Sequence, residues 1–416
     1  MLQARSLPAA ALAFTCLVSA SVDWRLVPAR NVPSGNSTGI RQAADSVLPG
    51  IDVLLRDSLH LVAGRRVGLI TNRTGVDAAG VPTIDRLERQ PGVRLVALFA
   101  PEHGIRGAQR PGEAVRDTLL GDTVDVATAL PIYSLYGPRR APEPAQLASL
   151  DVLLVDLQDV GARTFTYVST TLLAMRAAAA AGVRVVVLDR PDPIGCAVQG
   201  PVLDTAYASF FGMLPVPLRH GMTLGELARF ANARLGIGAD LVVVPVAGWR
   251  RCDWFDRTGL PWVRPSPNLP DLEAVAWYPG TVLFEATNLS VGRGSDAPFR
   301  QVGAPWLDAA RVARVMARRY GVALDTVRFT PRGAGDGKDE GVAVAGVRFR
   351  TFDRARGDAV RDALRLLETI RALQPDSLRV DETGLARRLG TRFAGAVTWP
   401  ADDRRFVALR RPFLIY

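Results

Sequence analysis

The sequence predicts an α/β protein, with an open, doubly wound, mostly parallel sheet followed by a smaller α+β domain. Three observations carry this expectation. The strand-like cores Val152–Val155 and Val183–Leu188 are apolar almost throughout instead of alternating, the pattern of strands covered on both faces. Helix-like segments separate the strands, as parallel crossovers require. Beyond about Trp249 the texture changes, first to proline-crowded chain and then to a mixed pattern.

In chain order, Arg66–Asn72 is a short apolar strand ending in polar turn residues. Thr83–Arg89 reads as a helix and Val93–Phe99 as the next strand. Asp151–Asp156 is a strand closed by an acid. Thr170–Ala181 is an alanine-rich helix, and Val183–Leu188 is a strand that runs into Asp189. Thr223–Leu235 is an amphipathic helix, and Leu241–Val246 a strand. Pro261, Pro265, Pro267, Pro270 and Pro279 mark a long irregular stretch, of the kind that carries function. Helix Leu307–Tyr320, strands Val327–Thr330 and Gly341–Phe349, and helix Ala359–Gln374 complete the pattern. The expected domains are residues 48–260 for the parallel sheet and 261–416 for the ancillary unit.

The N-terminus reads as an export signal over residues 1–20. Arg5 precedes the apolar run Leu7–Val18, and Val18-Ser19-Ala20 offers small residues for cleavage. The run is short for a membrane span, so no stable span is expected after cleavage. Cys16 raises the alternative of a lipoprotein, although Phe14 is bulky where a small residue is expected. Residues 21–47 read as a linker, with Arg30–Asp45 rich in Pro, Gly, Ser and Asn. The predicted location is therefore periplasmic or extracellular. Cys196 and Cys252 remain, and their spacing does not say whether they meet.

The net charge is +10 and the pI about 10.3. The basic residues are scattered, with no basic run interleaved with aromatics, which argues against nucleic acid as a partner. Lys338 is the only lysine. There is no Cys/His zinc spacing, no dinucleotide or P-loop glycine pattern and no G-x-S-x-G elbow. No metal or cofactor is expected.

Polar groups fall at several predicted strand ends, where open α/β sheets bind ligands. These are Thr71-Asn72, Glu102-His103, Asp156 with Gln158 and Asp159, and Asp189-Arg190. Each acid has a plainer reading as a turn or cap residue. Together they point to acid–base hydrolysis, and glycoside cleavage commonly uses two carboxyl groups. Arg163, Tyr167, Arg190, His220 and Arg293 are candidates for gripping an anionic sugar substituent, because guanidinium donors match a carboxylate.

Six ordered segments carry a resemblance. They are Gly68–Asp77, Leu98–Gly107, Tyr133–Gly137, Asp156–Thr170, Asp189–Gly195 and Tyr278–Gly294. In this order they resemble the exo-β-N-acetylmuramidase family of peptidoglycan-recycling enzymes, long catalogued as a domain of unknown function. The resemblance implies exo-acting release of N-acetylmuramic acid from the non-reducing end of peptidoglycan fragments. It also implies a Rossmann-like domain, a smaller ancillary domain and an active site in the cleft between them. The family's proposed catalytic glutamate corresponds to Glu102, with His103 beside it. Asp156, Asp189 and Glu285 are the candidate partners, while Asn72 and Asn288 join the arginines as substrate-binding candidates. Gln199, Val291 and Asp192 depart from the family's usual Glu, Glu and Asn. The changes at Gln199 and Val291 keep in view a non-catalytic binder of cell-wall fragments, and a hydrolase of another anionic glycoside is the second alternative.

Overall fold

The computed structural model describes residues 46–105, 128–393, 395 and 399–416. The expected signal segment, nearly all of the linker, Cys16, Arg106 and Gly107 lie outside these residues. Helix α1 (Gly50–Asp57) leads into β1 (Arg66–Thr71), α2 (Thr83–Glu88), β2 (Arg94–Ala100) and β3 (Ile132–Ser134). Next come α3 (Pro144–Leu147), β4 (Val152–Asp156), α4 (Thr166–Ala181) and β5 (Arg184–Leu188). A short antiparallel pair, β6 (Gln199–Val202) and β7 (Pro217–Arg219), precedes α5 (Leu224–Arg234) and β8 (Leu241–Val244).

Six of these strands form one sheet in the order β3-β2-β1-β4-β5-β8, and every pairing is parallel. The apolar runs are explained by their surroundings. Ile70, Leu153, Val155, Val185 and Val187 enter one core with α4 and α5. Val67, Leu69, Leu154, Val186 and Leu188 face the other way into a second core with α1 and α2. Strand order reverses between β1 and β4, where Thr71 pairs with Asp156.

The second part contains α6 (Leu272–Thr281), β9 (Gln301–Ala304), α7 (Ala309–Tyr320), β10 (Leu324–Phe329) and β11 (Val344–Phe349). It ends with α8 (Ala359–Leu373), α9 (Glu382–Leu389) and α10 (Pro400–Arg410). Strands β10-β11-β9 make an antiparallel sheet. The larger core continues from the parallel sheet into this part, through Phe284 and Val347 to Leu367.

Two expectations need correction. Helix α4 starts at Thr166, one turn earlier than the alanine-rich run. The proline-crowded stretch is not irregular throughout, because Leu272–Thr281 is helical with Pro279 inside it. Its residues from Ala274 to Thr281 are all buried, so no amphipathic period marks it. Pro279 lacks the N–H that would bond four residues back, and the chain tightens directly into a 3-10 turn, Val282–Ala286.

Cys196 and Cys252 form a disulfide across 56 residues of sequence. Closing such a loop in the unfolded chain is worth roughly 4 kcal/mol in the chain-entropy treatment. The Cys196→Ala/Cys252→Ala variant is expected to lose about that much stability in urea unfolding. An unchanged midpoint would show that the bridge constrains nothing the fold does not already hold.

Candidate active site

Strand β2 ends at Ala100 and the chain turns at Pro101-Glu102-His103-Gly104. Gly104 N–H closes the turn onto the Pro101 carbonyl at 3.0 Å. His103 holds a left-handed backbone with φ 73°. Non-glycine residues rarely sit there, and such strain gathers at functional sites. Phe299, also left-handed at φ 58°, lines the same cleft as His103.

That cleft opens to solvent and brings Glu102 and His103 together with Glu285 and Arg293. Residues from both halves of the chain build it, including Thr166 on α4, Tyr278 on α6 and Arg388 on α9. The two glutamates have different surroundings. Thr166 Oγ1 donates to Glu102 Oε2 at 2.8 Å, and the Tyr136 hydroxyl also bonds this carboxyl. Burial and the neighbouring Glu102 push the Tyr136 phenol up, so it remains a proton-bearing donor. Glu285 sits on the 3-10 turn after α6. Its Oε1 is paired with Arg293, whose Nε lies at 3.2 Å, and its Oε2 meets Arg388 Nη2 at 3.5 Å. Burial raises the Glu285 pKa, but Arg293, Arg388 and Lys338 outweigh it and hold the carboxyl below its ordinary value.

The chemistry of the partners decides what each carboxyl can do. A hydroxyl donates to a carboxylate and, once rotated, accepts from a carboxylic acid. Glu102 can therefore take up a proton without losing Thr166 or Tyr136. Guanidinium groups only donate, so the surroundings of Glu285 favour its anionic form. The two carboxyls thus share one cleft in different hydrogen-bonding surroundings, hydroxyl donors on Glu102 and guanidinium donors on Glu285.

Most of the other sequence-predicted candidates lie outside the cleft. Asp156 is fully buried at the strand reversal. Arg190 Nε reaches its Oδ1 at 2.5 Å and Nη2 its Oδ2 at 3.0 Å, and Thr83 bonds it as well. Arg190 also donates to the Val76 carbonyl at 2.6 Å. Asp189 accepts from Thr223, from Gly225 N–H and from the Tyr416 hydroxyl. It anchors the start of α5, and burial pushes its pKa up to about 6. His220 is wholly buried, 3.5 Å from Asp159 and 3.9 Å from Asp192. Asn72 Nδ2 donates to the Tyr167 hydroxyl, which donates to the Pro265 carbonyl at 2.9 Å. This buried pair lies behind the cleft wall, where the Phe165 ring rests 4.6 Å from that of Tyr167. Asn288 clamps Arg379 N–H and the Ser377 carbonyl.

Arg163 is buried and donates to three carbonyls, those of Pro201, Val216 and Arg388. Burial lowers its pKa to about 9. It fastens the loop after β4 to the end of α9. The close approach leaves no room for a side chain at Gly390, where a Cβ would fall 2.5 Å from Arg163 Nη2.

Sequence reasoning did not single out Tyr136, Thr166, Tyr278, Phe211 or Arg388. Tyr136, Thr166 and Tyr278 lie inside the family-like segments and carried that signal only. Phe211 had a local one: an apolar pair, Phe210-Phe211, in turn-rich sequence. Ser209 and Gly212 exchange backbone bonds of 3.0 and 2.9 Å, so the two phenylalanines form the tip of a tight turn. Phe210 packs near Tyr136, with centroids 6.1 Å apart. Phe211 lines the cleft and is 42% exposed, with the Arg388 guanidinium 5.3 Å from its ring centroid.

Among the described residues, no group of three or more His, Cys, Asp or Glu is placed to hold a metal ion. No helix among them is long and apolar enough to cross a membrane.

The family descriptions of exo-beta-N-acetylmuramidase NamZ match this chain in two parts, the N-terminal one over residues 67–273 and the C-terminal one over 276–416. The chain is 42% identical over 341 residues to the peptidoglycan beta-N-acetylmuramidase NamZ of Bacillus subtilis (strain 168), covering 81% of this chain and 80% of that protein. It is similar to the crystal structures of two DUF1343 family proteins from Bacteroides fragilis NCTC 9343. One has a TM-score of 0.80 at 33% identity, the other 0.71 at 28%, and each comparison covers 89% of this chain and 99% of the other.

Proposed function

This chain belongs to the exo-beta-N-acetylmuramidase NamZ family, and we propose that it acts as an exo-β-N-acetylmuramidase on peptidoglycan fragments. It is a glycoside hydrolase that releases N-acetylmuramic acid from the non-reducing end. The observation that carries the mechanism is the contrast between two glutamates in one cleft. Glu102, held by Thr166 and Tyr136, is the general acid that protonates the leaving glycosidic oxygen. Glu285, kept anionic by Arg293 and Arg388, is the second carboxylate. Arg388, whose contact to Glu285 is the looser at 3.5 Å, takes the lactyl carboxylate of the sugar. His103 supports the turn that presents Glu102.

Release of muramic acid from a muramic acid–glucosamine disaccharide tests the reading directly. Binding without turnover would overturn it in favour of a cell-wall-binding protein. The departures that suggested a binder lie elsewhere. Gln199 is on β6, where its amide donates to the Gly357 carbonyl at 2.7 Å and accepts from Ala359 N–H at 3.3 Å. Glutamate cannot make both bonds while ionised. Val291 is buried in the core.

Phe211 is the sugar-stacking surface at the cleft mouth. Covering one face of the ring, roughly 40–50 Å² of apolar area at about 25 cal/mol/Å², is worth about 1 kcal/mol. Phe211→Ala is therefore expected to raise KM roughly five- to tenfold while kcat stays within about threefold. Unchanged KM would remove Phe211 from the binding site.

The Cys196–Cys252 disulfide supports an exported protein, since such bridges persist in oxidising compartments. The strand order with its reversal between β1 and β4 supports a Rossmann-like reading of the parallel sheet.

A further inference from the structure

Lys338 is the one lysine among 51 lysines and arginines. It lies in the loop joining β10 to β11, far in sequence from Glu102. Its Nζ donates to three backbone carbonyls, Phe284 at 3.2 Å, Glu285 at 3.1 Å and Leu289 at 3.2 Å. An ammonium has three donors on one atom, and here all three converge on the segment that carries Glu285. The planar fork of a guanidinium spreads its donors over three nitrogens and does not match three carbonyls gathered around one point. This geometry gives a reason for lysine at this one position in an otherwise arginine-based chain.

We propose that Lys338 is a positioning residue for Glu285, its ammonium fixing the 3-10 turn beneath that carboxyl through three carbonyls. The proposal rests on the reading of Glu285 as the anionic partner in hydrolysis. Arg293, Arg388 and Lys338 act on Glu285 as cations. Asp336 faces Arg293 and Lys338, Asp339 adjoins Lys338, and the Tyr278 phenol lies near Glu285. Burial lowers the Lys338 pKa against the pull of Asp336 and Glu285.

Two arms test it. In the first, Lys338→Met and Lys338→Arg are assayed on a chromogenic β-muramide across pH. Lys338→Met should lower kcat about tenfold or more, a barrier change of about 1.4 kcal/mol, with KM within about threefold. It should also move the acidic limb of the pH–rate profile to higher pH. Lys338→Arg should restore the limb, because it restores charge, but not kcat, because it does not restore the three bonds. Lys338→Met with kcat within about twofold of wild type and an unmoved limb would overturn the proposal. In the second arm, lysine-selective 13C labelling gives a single side-chain resonance, which reports on Lys338 without assaying activity. It should titrate below the ordinary lysine value, and its pKa should fall further in Glu285→Gln. A resonance that titrates like free lysine and ignores Glu285→Gln would overturn the proposal even if Lys338→Met fails to fold. Should the wild type release no chromophore, the muramidase reading fails and the titration still decides the Lys338–Glu285 coupling.

Discussion

Glu102→Gln is expected to lower kcat by about 10²- to 10⁴-fold, the usual loss for a general acid. The substitution is a narrow one. Glutamine keeps the shape, and because a hydroxyl can either donate to the amide oxygen or accept from the amide NH2, Thr166 and Tyr136 can both stay bonded, so KM should change little. The diagnostic is the leaving group. A β-muramide with a strongly acidic phenol leaves with little protonic help, and the variant should lose far less on it than on the natural disaccharide. Equal losses on both would refute the acid role even though activity falls. No loss on either would take Glu102 out of the chemistry.

The second large effect is expected at Glu285. Glu285→Gln should lower kcat by on the order of 10²-fold or more, and it should lower KM for the anionic sugar rather than raise it. With the carboxylate gone, Arg293 and Arg388 keep their positive charge and turn it toward the substrate's own carboxylate. A merely misfolded variant would bind less tightly, so the opposed movement of kcat and KM separates chemistry from damage. A kcat within about threefold of wild type would eliminate Glu285 as the second carboxylate. The same cations set the pH dependence. Because they hold Glu285 below 4.5 against burial, the acidic limb of kcat/KM should lie below that value. Arg293→Met should move it upward. The stability contributed by these ion pairs is present at neutral pH and fades as acid protonates Glu285.

The parallel sheet was legible because its strands have cores on both faces. Continuous valine and leucine is the direct trace of that burial. Helix α6 was not legible, since a helix buried on every side has no period to read and Pro279 argues against it. At the site, the turn Pro101–Gly104 stood out through its strand-end position. The same reasoning also selected Asp156, Asp189 and Asn72, which use their hydrogen bonds to hold loops and helix starts in place. Strand ends in a parallel sheet must satisfy many backbone donors, and sequence position does not distinguish that duty from catalysis. Thr166, Phe211 and Arg388 reach the cleft from three different segments, and Tyr136 reaches Glu102 from a fourth. Their adjacency is a product of topology, which no local pattern records.

Arg163 has a consequence for how activity is acquired. Its guanidinium joins the loop after β4 to the carbonyl of Arg388, 225 residues away. The cleft wall built from Arg388 is thus among the most non-local contacts in the molecule, and contacts of that kind form late because loop closure must come first. Catalytic competence should lag behind the recovery of helical signal during refolding. A chain cut between the two halves should be silent until both pieces dock, which makes turnover a reporter of completed assembly rather than of folded mass.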